Sequence, residues 1–299
     1  MAIATVLVVG YGAMGRGIAQ SFAAAGFTTT VLSRHPQATK DVPAGVTVVG
    51  TLPHAAPDLA IESVPEDADI KRASFAMLEA AYGGNTIVAT NSSGIPLPEL
   101  ERGLKHPERF LGTHYYYPAE SAAAVEIMAG TRTAPEFLDS VAAAIAKTGK
   151  EIFLLRRPVT GYLINRLQHA LLHETYHLLA SGVASAAELD RAARLVIGPR
   201  LCIGGLLEQK DIGGLEIHAA AQRSIVPALD HSDRPNPYLQ EMVARGETGL
   251  PAKRGFYDWR DTDSDAVAAE AKKRLAKLLG FLRSLSPRAP NIVPRPRKN

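Results

Sequence analysis

A glycine-rich turn near the start of the chain constrains the fold more than any other feature. The apolar run Val6–Val9 is typical of a strand. It leads directly into Gly10, Gly12 and Gly15, after which a helical pattern begins. In such a unit the first glycine allows the tight turn, the second lets a pyrophosphate approach the backbone, and the third lets helix and strand pack closely. The turn therefore predicts a dinucleotide-binding site.

Strands and helices alternate through the first half of the chain, which predicts βαβ units and a mostly parallel sheet. The second half is helical only, with long helical stretches such as Leu163–Ser181 and an amphipathic one at Ala266–Leu285. The predicted fold is therefore α/β. A Rossmann-type, doubly wound N-terminal domain, residues 1–156, is followed by an all-α C-terminal domain, residues 157–285.

Composition excludes several classes of protein. The 299 residues are 46% hydrophobic and 21% charged, with a small net charge of +3, so no strongly basic face points to nucleic acid. No apolar run approaches the length of a membrane span. Much of the basic excess lies in residues 286–299, which are rich in Pro and Arg and are predicted to be a disordered tail. The single cysteine, Cys202, excludes an intramolecular disulfide and fits a cytoplasmic protein.

The end of the second predicted strand, Thr28–Leu32, bears on the choice of cofactor. An NAD site usually carries Asp or Glu there, to accept hydrogen bonds from the adenosine ribose. This chain has Ser33 and Arg34 instead. A guanidinium suits the 2′-phosphate of NADP, which a carboxylate would repel. The pair predicts a preference for NADP, with NAD as the alternative if Arg34 is only a surface charge.

Polar residues cluster where the predicted strands end, and ligands of an open α/β sheet bind at the carboxyl ends of its strands. His114 is the candidate for proton transfer, because imidazole titrates near neutral pH. A carboxylate beside it would fix its tautomer and stabilise its charged form. The polar segments are Ser63–Lys71, Thr90–Gly94, Gly112–Pro118, Val125–Glu126 and Gly161–Arg166.

These segments resemble the L-3-hydroxyacyl-CoA dehydrogenase superfamily, which also holds carnitine dehydrogenase and the gulonate dehydrogenase related to lambda-crystallin. The similarity covers Ala4–Trp259 and includes the C-terminal stretches Gly198–Arg200, Glu208–Leu215 and Gly255–Trp259. The combined match is far more specific than any one motif. It implies a nicotinamide-dependent oxidoreductase acting on a CH–OH group, and a helical domain through which two chains form a homodimer.

The resemblance also implies a role for each matching residue. His114 takes the position of the catalytic acid or base, and Glu126 that of the carboxylate which orients it. Ser93 and Asn165 take positions that hold the reacting oxygen of the substrate, while Glu66 and Lys71 match positions near the nicotinamide ribose. No metal is expected. The full set of predicted cofactor-binding residues is Gly10, Gly12, Ala13, Met14, Gly15, Ser33, Arg34, Glu66, Lys71 and Asn91.

Two departures from the family bear on the substrate. The family usually reads His-Phe-Phe-Asn-Pro from the catalytic histidine, whereas here three tyrosines precede Pro118, and Tyr117 replaces the Asn. CoA-ester enzymes also carry a helical excursion between the second and third strands that contacts CoA, and residues 34–46 are too short to hold it. We therefore expect a small 3-hydroxy acid or related alcohol as substrate.

Two alternatives remain open. The first is an NAD-dependent L-3-hydroxyacyl-CoA dehydrogenase of fatty-acid metabolism. The second comes from another class and is a non-catalytic, crystallin-like or cofactor-sensing protein, because this fold does not by itself fix a function. The intact set of candidate catalytic residues speaks against the second alternative. Neither a nucleic acid nor a membrane is expected as a partner.

Overall fold

The computed structural model describes residues 2–285 and Val293. The chain divides into two compact units, Met1–Gln168 and His169–Asn299. The predicted domain boundary at residues 156 and 157 directly follows the last strand, and the first compact unit extends a little beyond it. The predicted disordered tail lies outside the described residues, apart from Val293.

The first unit contains one eight-stranded sheet in the order β3-β2-β1-β4-β5-β6-β7-β8. All neighbouring strands run parallel except β6 and β7, because residues 116–123 are too few for the crossover that parallel strands need. The doubly wound, mostly parallel sheet predicted from the sequence is confirmed. The strands are β1 Thr5–Val9, β2 Thr28–Leu32, β3 Val46–Val49, β4 Leu59–Glu62, β5 Ile87–Thr90, β6 Phe110–Tyr115, β7 Ala124–Ala129 and β8 Glu151–Leu155.

Helices flank the sheet and continue beyond it. Only isolated β-bridges occur among the described residues after 168, so the all-helical character predicted for the second half is also confirmed. The helices are α1 Ala13–Ala24, α2 Ala68–Tyr82, α3 Leu97–Leu100, α4 Pro135–Ala146, α5 Ile164–Ala180, α6 Ala186–Ala192, α7 Gly198–Ile203, α8 Glu208–Gly213, α9 Leu215–Ile225, α10 Pro237–Ala244 and α11 Ser264–Ser284. Among the described residues, no helix is long and apolar enough to span a membrane.

The core of the first unit lies on both faces of the sheet, because side chains alternate between faces along each strand. Val6 and Val8 of β1 pack with Phe22 of α1 on one face. Leu7 of β1 packs with Phe75 of α2 on the other. Burial on both faces explains why these strands read as continuous apolar runs.

The strand order places a crevice at the carboxyl ends of β1 and β4. The chain leaves β1 toward one side of the sheet and β4 toward the other, which is the topological switch point at which doubly wound folds bind ligands. Gly10 follows β1 and Ser63 follows β4 at this point. The predicted dinucleotide turn therefore lies where the topology places a binding site.

Candidate active site

Two of the three glycines of the turn are required by the protein's own packing. Gly10 has φ of +108°, and a Cβ there would lie 2.6 Å from the Ser63 carbonyl oxygen. A Cβ on Gly15 would lie 2.1 Å from the Gly10 carbonyl oxygen. Gly12 differs, because nothing lies within 4 Å of the position that its Cβ would take. A side chain at Gly12 would therefore enter open space beside the start of α1.

Helix α1 begins at this open space with its N-terminal N–H groups unpaired by any side chain. Gly12 is the N-cap residue and provides no side-chain hydrogen bond, and the first turn carries no acidic residue. Free N–H groups and the positive end of the helix dipole favour a bound anion. Ala13, Met14 and Gly15 form this first turn, so the residues present fit a dinucleotide pyrophosphate.

Neither of the two residues that follow β2, Ser33 and Arg34, has a carboxylate side chain. Ser33 is half-buried and accepts a hydrogen bond from the His35 N–H at 3.2 Å. Arg34 is exposed and forms no ion pair with any described residue. The following loop folds back onto the glycine turn, where Tyr11 Oη donates to the carbonyl of Lys40 at 3.3 Å and Arg16 Nε donates to the carbonyl of Asp41 at 3.0 Å.

Lys71 lies inside the protein and not at an open surface. It is 1% exposed, and its ammonium contacts Glu62 Oε1 at 2.9 Å and Glu66 Oε2 at 3.1 Å. Glu62 is itself fully buried and accepts hydrogen bonds from Thr90 Oγ1 at 2.7 Å and from the Val64 N–H at 2.6 Å. The two carboxylates pair with the ammonium group of Lys71, whose burial as an unpaired charge would be unfavourable.

Glu66 fixes the loop that follows β5. Its Oε1 accepts hydrogen bonds from Ser92 Oγ at 2.6 Å and from the N–H groups of Ser93 and Gly94, both at 2.9 Å. Burial alone would raise the pKa of Glu66, but these hydrogen bonds and the charge of Lys71 outweigh it and lower the pKa to about 2. These hydrogen bonds tie the loop to Glu66, and Ser93 itself is exposed.

His114 and Glu126 lie opposite each other in the antiparallel pair β6–β7. Both are buried, and His114 Nδ1 lies 2.9 Å from Glu126 Oε2. The other oxygen, Oε1, accepts the N–H groups of Leu163 and Ile164 at 2.8 and 2.9 Å, at the start of α5. The structure thus brings together the histidine and the carboxylate that the sequence singled out.

The ionisation of Glu126 fixes the tautomer of His114. Burial alone would raise the pKa of Glu126, but hydrogen bonds from His114, Tyr116 and the start of α5 lower it below its ordinary value. An ionised carboxylate only accepts hydrogen bonds, so the hydrogen of neutral His114 sits on Nδ1. Nε2 is then left with a lone pair and has no hydrogen bond to any described residue. This is the arrangement of a general base oriented by a carboxylate.

Two tyrosine rings enclose the His114 imidazole. The Tyr162 ring stacks on it with ring centroids 4.7 Å apart, and the Tyr116 ring meets it edge-on at 4.6 Å. The Tyr116 hydroxyl donates to Glu126 Oε2. Tyr162 is buried, and its backbone has a positive φ of +53°. Tyr117, the residue that departs from the family pattern, is 75% exposed.

The remaining predicted residues lie at the same edge of the sheet. Asn91 follows β5, and its Oδ1 accepts the Tyr115 N–H at 2.9 Å, which ties the end of β5 to the end of β6. Asn165 is in the first turn of α5 and is half-buried, and its side chain forms no hydrogen bond with any described residue. Asn165 directly follows Leu163 and Ile164, whose N–H groups donate to Glu126.

Sequence reasoning missed three residues that shape this site. Glu62 ends an apolar strand nine residues before Lys71, and a charge inside an apolar run was an available signal of pairing. The sequence alone does not show the contact between the Tyr116 hydroxyl and Glu126, because that contact depends on the β6–β7 register. No local sequence pattern predicts that the Tyr162 ring stacks on His114.

The chain belongs to the 3-hydroxyacyl-CoA dehydrogenase family. Residues 5–52 and 45–157 match the family described as 3-hydroxyacyl-CoA dehydrogenase, NAD binding domain. Residues 161–259 match the one described as 3-hydroxyacyl-CoA dehydrogenase, C-terminal domain. These matches confirm the resemblance found in the sequence.

Two individual relatives align with this chain over most of their own length. The chain is 27% identical to 5-formyl-3-hydroxy-2-methylpyridine 4-carboxylate 5-dehydrogenase of Mesorhizobium japonicum, over 94% of this chain and 98% of the relative. It is 31% identical to L-carnitine dehydrogenase of Streptomyces griseus, over 76% of this chain and 78% of that relative. One solved structure is described as a crystal structure of the pyridine-carboxylate 5-dehydrogenase, an NAD⁺-dependent dismutase. It aligns with 95% of this chain and 100% of the solved chain, at 25% identity and a TM-score of 0.87.

These findings establish the class of protein. The chain is a 3-hydroxyacyl-CoA dehydrogenase-like oxidoreductase that acts on a CH–OH group and uses a nicotinamide cofactor. The family description and the solved relative both name NAD, so they favour NAD over the NADP predicted from Ser33 and Arg34.

Proposed function

We propose that this protein is a dehydrogenase in which His114 moves the proton of the reacting hydroxyl group. The observation that carries the proposal is the buried His114–Glu126 pair, with Nδ1 2.9 Å from the carboxylate. A bound nicotinamide dinucleotide supplies hydride transfer. In alcohol oxidation, His114 Nε2 takes the hydroxyl proton, and in carbonyl reduction the imidazolium returns it.

Each remaining residue supports this proton transfer. Glu126 holds the His114 tautomer and balances the positive charge that the imidazole gains. Ser93 and Asn165 hold the reacting oxygen beside His114, with Ser93 presented by the loop that Glu66 fixes. The turn at Gly10, Gly12 and Gly15 would hold the pyrophosphate, through the N–H groups at the start of α1.

For the substrate we propose a small hydroxy acid or related alcohol. Only a short turn, Pro36–Ala38, interrupts the connection between β2 and β3, so the helical excursion that contacts CoA in CoA-ester enzymes is absent from it. Two relatives named above act on small charged compounds, by their names a pyridine carboxylate and carnitine. The exposed Tyr117 places an aromatic ring where the family usually has Asn.

For the cofactor we propose NAD, as the relatives' names favour. One observation supports NADP as a second candidate. Arg34 is exposed and without an ion pair in the described part of the chain, and no carboxylate stands at Ser33 or Arg34 to repel a 2′-phosphate. We also propose that two copies assemble into a homodimer.

A substrate panel with both cofactors tests the proposed function. Purified protein is assayed by absorbance of the reduced nicotinamide against 3-hydroxybutyrate, carnitine, the pyridine carboxylate of the relative, and 3-hydroxybutyryl-CoA. We expect a higher kcat/KM for a small acid than for the thioester. Turnover of the thioester alone would overturn the substrate proposal, and no turnover of any of these compounds with either cofactor would support a non-catalytic protein.

The same assay decides between the cofactors. If the protein uses NAD and Arg34 does not contact the cofactor, Arg34→Ala leaves the preference for NAD over NADP unchanged. If NADP is preferred, Arg34→Ala weakens NADP by about tenfold to a hundredfold, which is the value of one charge-assisted hydrogen bond, and Ser33→Asp shifts the preference toward NAD.

A further inference from the structure

Tyr116 contacts the proposed catalytic pair in a way that the family pattern does not provide. It lies two residues beyond His114 and is half-buried. Its hydroxyl donates to Glu126 Oε2, the same oxygen that faces His114 Nδ1. In the family's usual His-Phe-Phe-Asn-Pro pattern this position is Phe, which has no hydroxyl group. The hydrogen bond is therefore a property of this chain and not of the shared motif.

Glu126 has no acceptor position to spare. Its Oε1 accepts two backbone N–H groups at the start of α5, and its Oε2 is shared by the His114 imidazole and the Tyr116 hydroxyl. Four hydrogen bonds use all the lone-pair directions of a carboxylate. Because two donors divide the charge of one oxygen, each donor gains less from it than it would gain alone.

We propose that Tyr116 is a positioning residue that sets the pH at which His114 changes its protonation state, by competing with the imidazole for Glu126 Oε2. The inference rests on the proposed function of His114 as the acid or base. The charged imidazole depends on Glu126 more than the neutral one does. A hydroxyl that takes part of the carboxylate's charge therefore favours neutral His114, the form that accepts a proton from an alcohol.

The other ionisable groups around the pair form no hydrogen bond with the Tyr116 hydroxyl. Tyr162, before α5, stacks on the imidazole, and burial together with the charges of Glu126, Glu66 and Glu62 raises its pKa, so it stays neutral. Glu62 on β4 and Glu66 before α2 are both paired with Lys71. Tyr116 itself stays neutral, because burial and the adjacent Glu126 raise its pKa.

The variant Tyr116→Phe tests the proposal, because it removes one oxygen atom and restores the family's usual residue. With the hydroxyl gone, Oε2 serves His114 alone and the imidazolium is favoured. The acid limb of the kcat/KM profile for alcohol oxidation should then move about 0.5–1 pH unit to higher pH. In the reducing direction, the alkaline limit of activity should move the same way.

Tyr115→Phe is the matched control. The Tyr115 hydroxyl is buried and has no hydrogen-bond partner among the described residues, so removing it should leave the pH profile in place. A Tyr116→Phe enzyme whose kcat falls equally at every pH, with no shift of either limb, would overturn the proposal. Such a result would mean that Tyr116 only supports the fold or touches the substrate.

A second readout separates this inference from the proposed function. The NMR titration of the His114 imidazole in the resting protein needs no substrate, and its signal is identified among the nine histidines by its absence in His114→Ala. We expect its midpoint to rise by the same amount in Tyr116→Phe. If the midpoint shifts in a protein without turnover, the coupling between Tyr116 and His114 is supported and the proposed dehydrogenase function is rejected. An unchanged midpoint in an active enzyme would reject the coupling alone.

Discussion

Glu66 joins a charged pair to a loop, because its carboxylate contacts Lys71 and accepts hydrogen bonds from the loop that carries Ser93. Its side chain is 43% exposed, so solvent weakens these interactions. The pKa of Glu66 is lowered to about 2, below its ordinary value. A carboxyl group with a lowered folded-state pKa stabilises the protein above its unfolded-state pKa, and the stabilisation is lost as pH falls through the folded-state value.

Glu66→Gln should therefore lower the free energy of unfolding by about 1–2 kcal/mol near neutral pH, after allowance for exposure. The difference from the unmodified protein should shrink as the pH falls from about 4.5 toward 2. Urea unfolding at several pH values measures it. Glu99→Gln is the control, because Glu99 makes only a 3.7 Å contact with Arg72 and its loss should matter little at any pH. A difference independent of pH would mean that Glu66 acts by shape alone.

The sequence predicts which individual residues form the site, whereas their contacts with one another become visible only in the fold. His114 and Glu126 were predictable because the resemblance assigns a role to each of them and because polar residues cluster where the predicted strands end. Lys71 was expected beside the nicotinamide ribose, and the structure buries it between Glu62 and Glu66. Spacing along the chain does not show which carboxylate a lysine meets, since that depends on how helix α2 packs on β4.

The turn at the start of α1 provides the test at the scale of an element. Gly12→Ala should leave the melting temperature unchanged within about 1–2 °C, because its Cβ meets no protein atom within 4 Å. The same methyl group lies where a pyrophosphate would approach, so it should raise the Kd for NAD(H) by about tenfold or more. Calorimetry and fluorescence titration measure the two effects.

Two further glycine variants complete that experiment. Gly15→Ala should lower the melting temperature, since its Cβ would lie 2.1 Å from the Gly10 carbonyl oxygen. Gly280→Ala, on α11 with nothing within 4 Å of its Cβ, should leave cofactor binding unchanged. An unaltered Kd in Gly12→Ala would show that the cofactor does not approach this backbone.

The strand predicted at Thr28–Leu32 has the same bounds as β2 in the structure. Each strand of the sheet is a β-rich apolar run bounded by turn residues, and its local pattern and its tertiary role agree. Helices α7, α8 and α10 span six to eight residues each and escaped prediction, because isolated helices so short gain their stability from packing. The cap at Asn236 followed by Pro237 was an available signal for α10.

The helical second unit leads to a prediction for the whole molecule. Leu207, Ile212 and Ile217 are 82%, 79% and 74% exposed, which is costly for large apolar side chains in water. Pairing of two copies would cover such surface, as the resemblance to the family also implies. Light scattering at micromolar concentration should report twice the mass of one chain. A single-chain mass that persists as the concentration rises would contradict the proposed homodimer.

In the proposed mechanism, the buried His114–Glu126 pair performs the proton transfer of a nicotinamide-dependent dehydrogenase. The most direct test is steady-state turnover of His114→Ala with the best substrate from the panel, alongside its Kd for the cofactor. We expect kcat to fall by roughly 10²–10⁴-fold, which is the usual contribution of a general acid or base. The cofactor Kd should stay within about twofold, because the pyrophosphate site at Gly12 is a separate part of the same sheet edge. Turnover close to that of the unmodified protein would show that His114 does not transfer the proton.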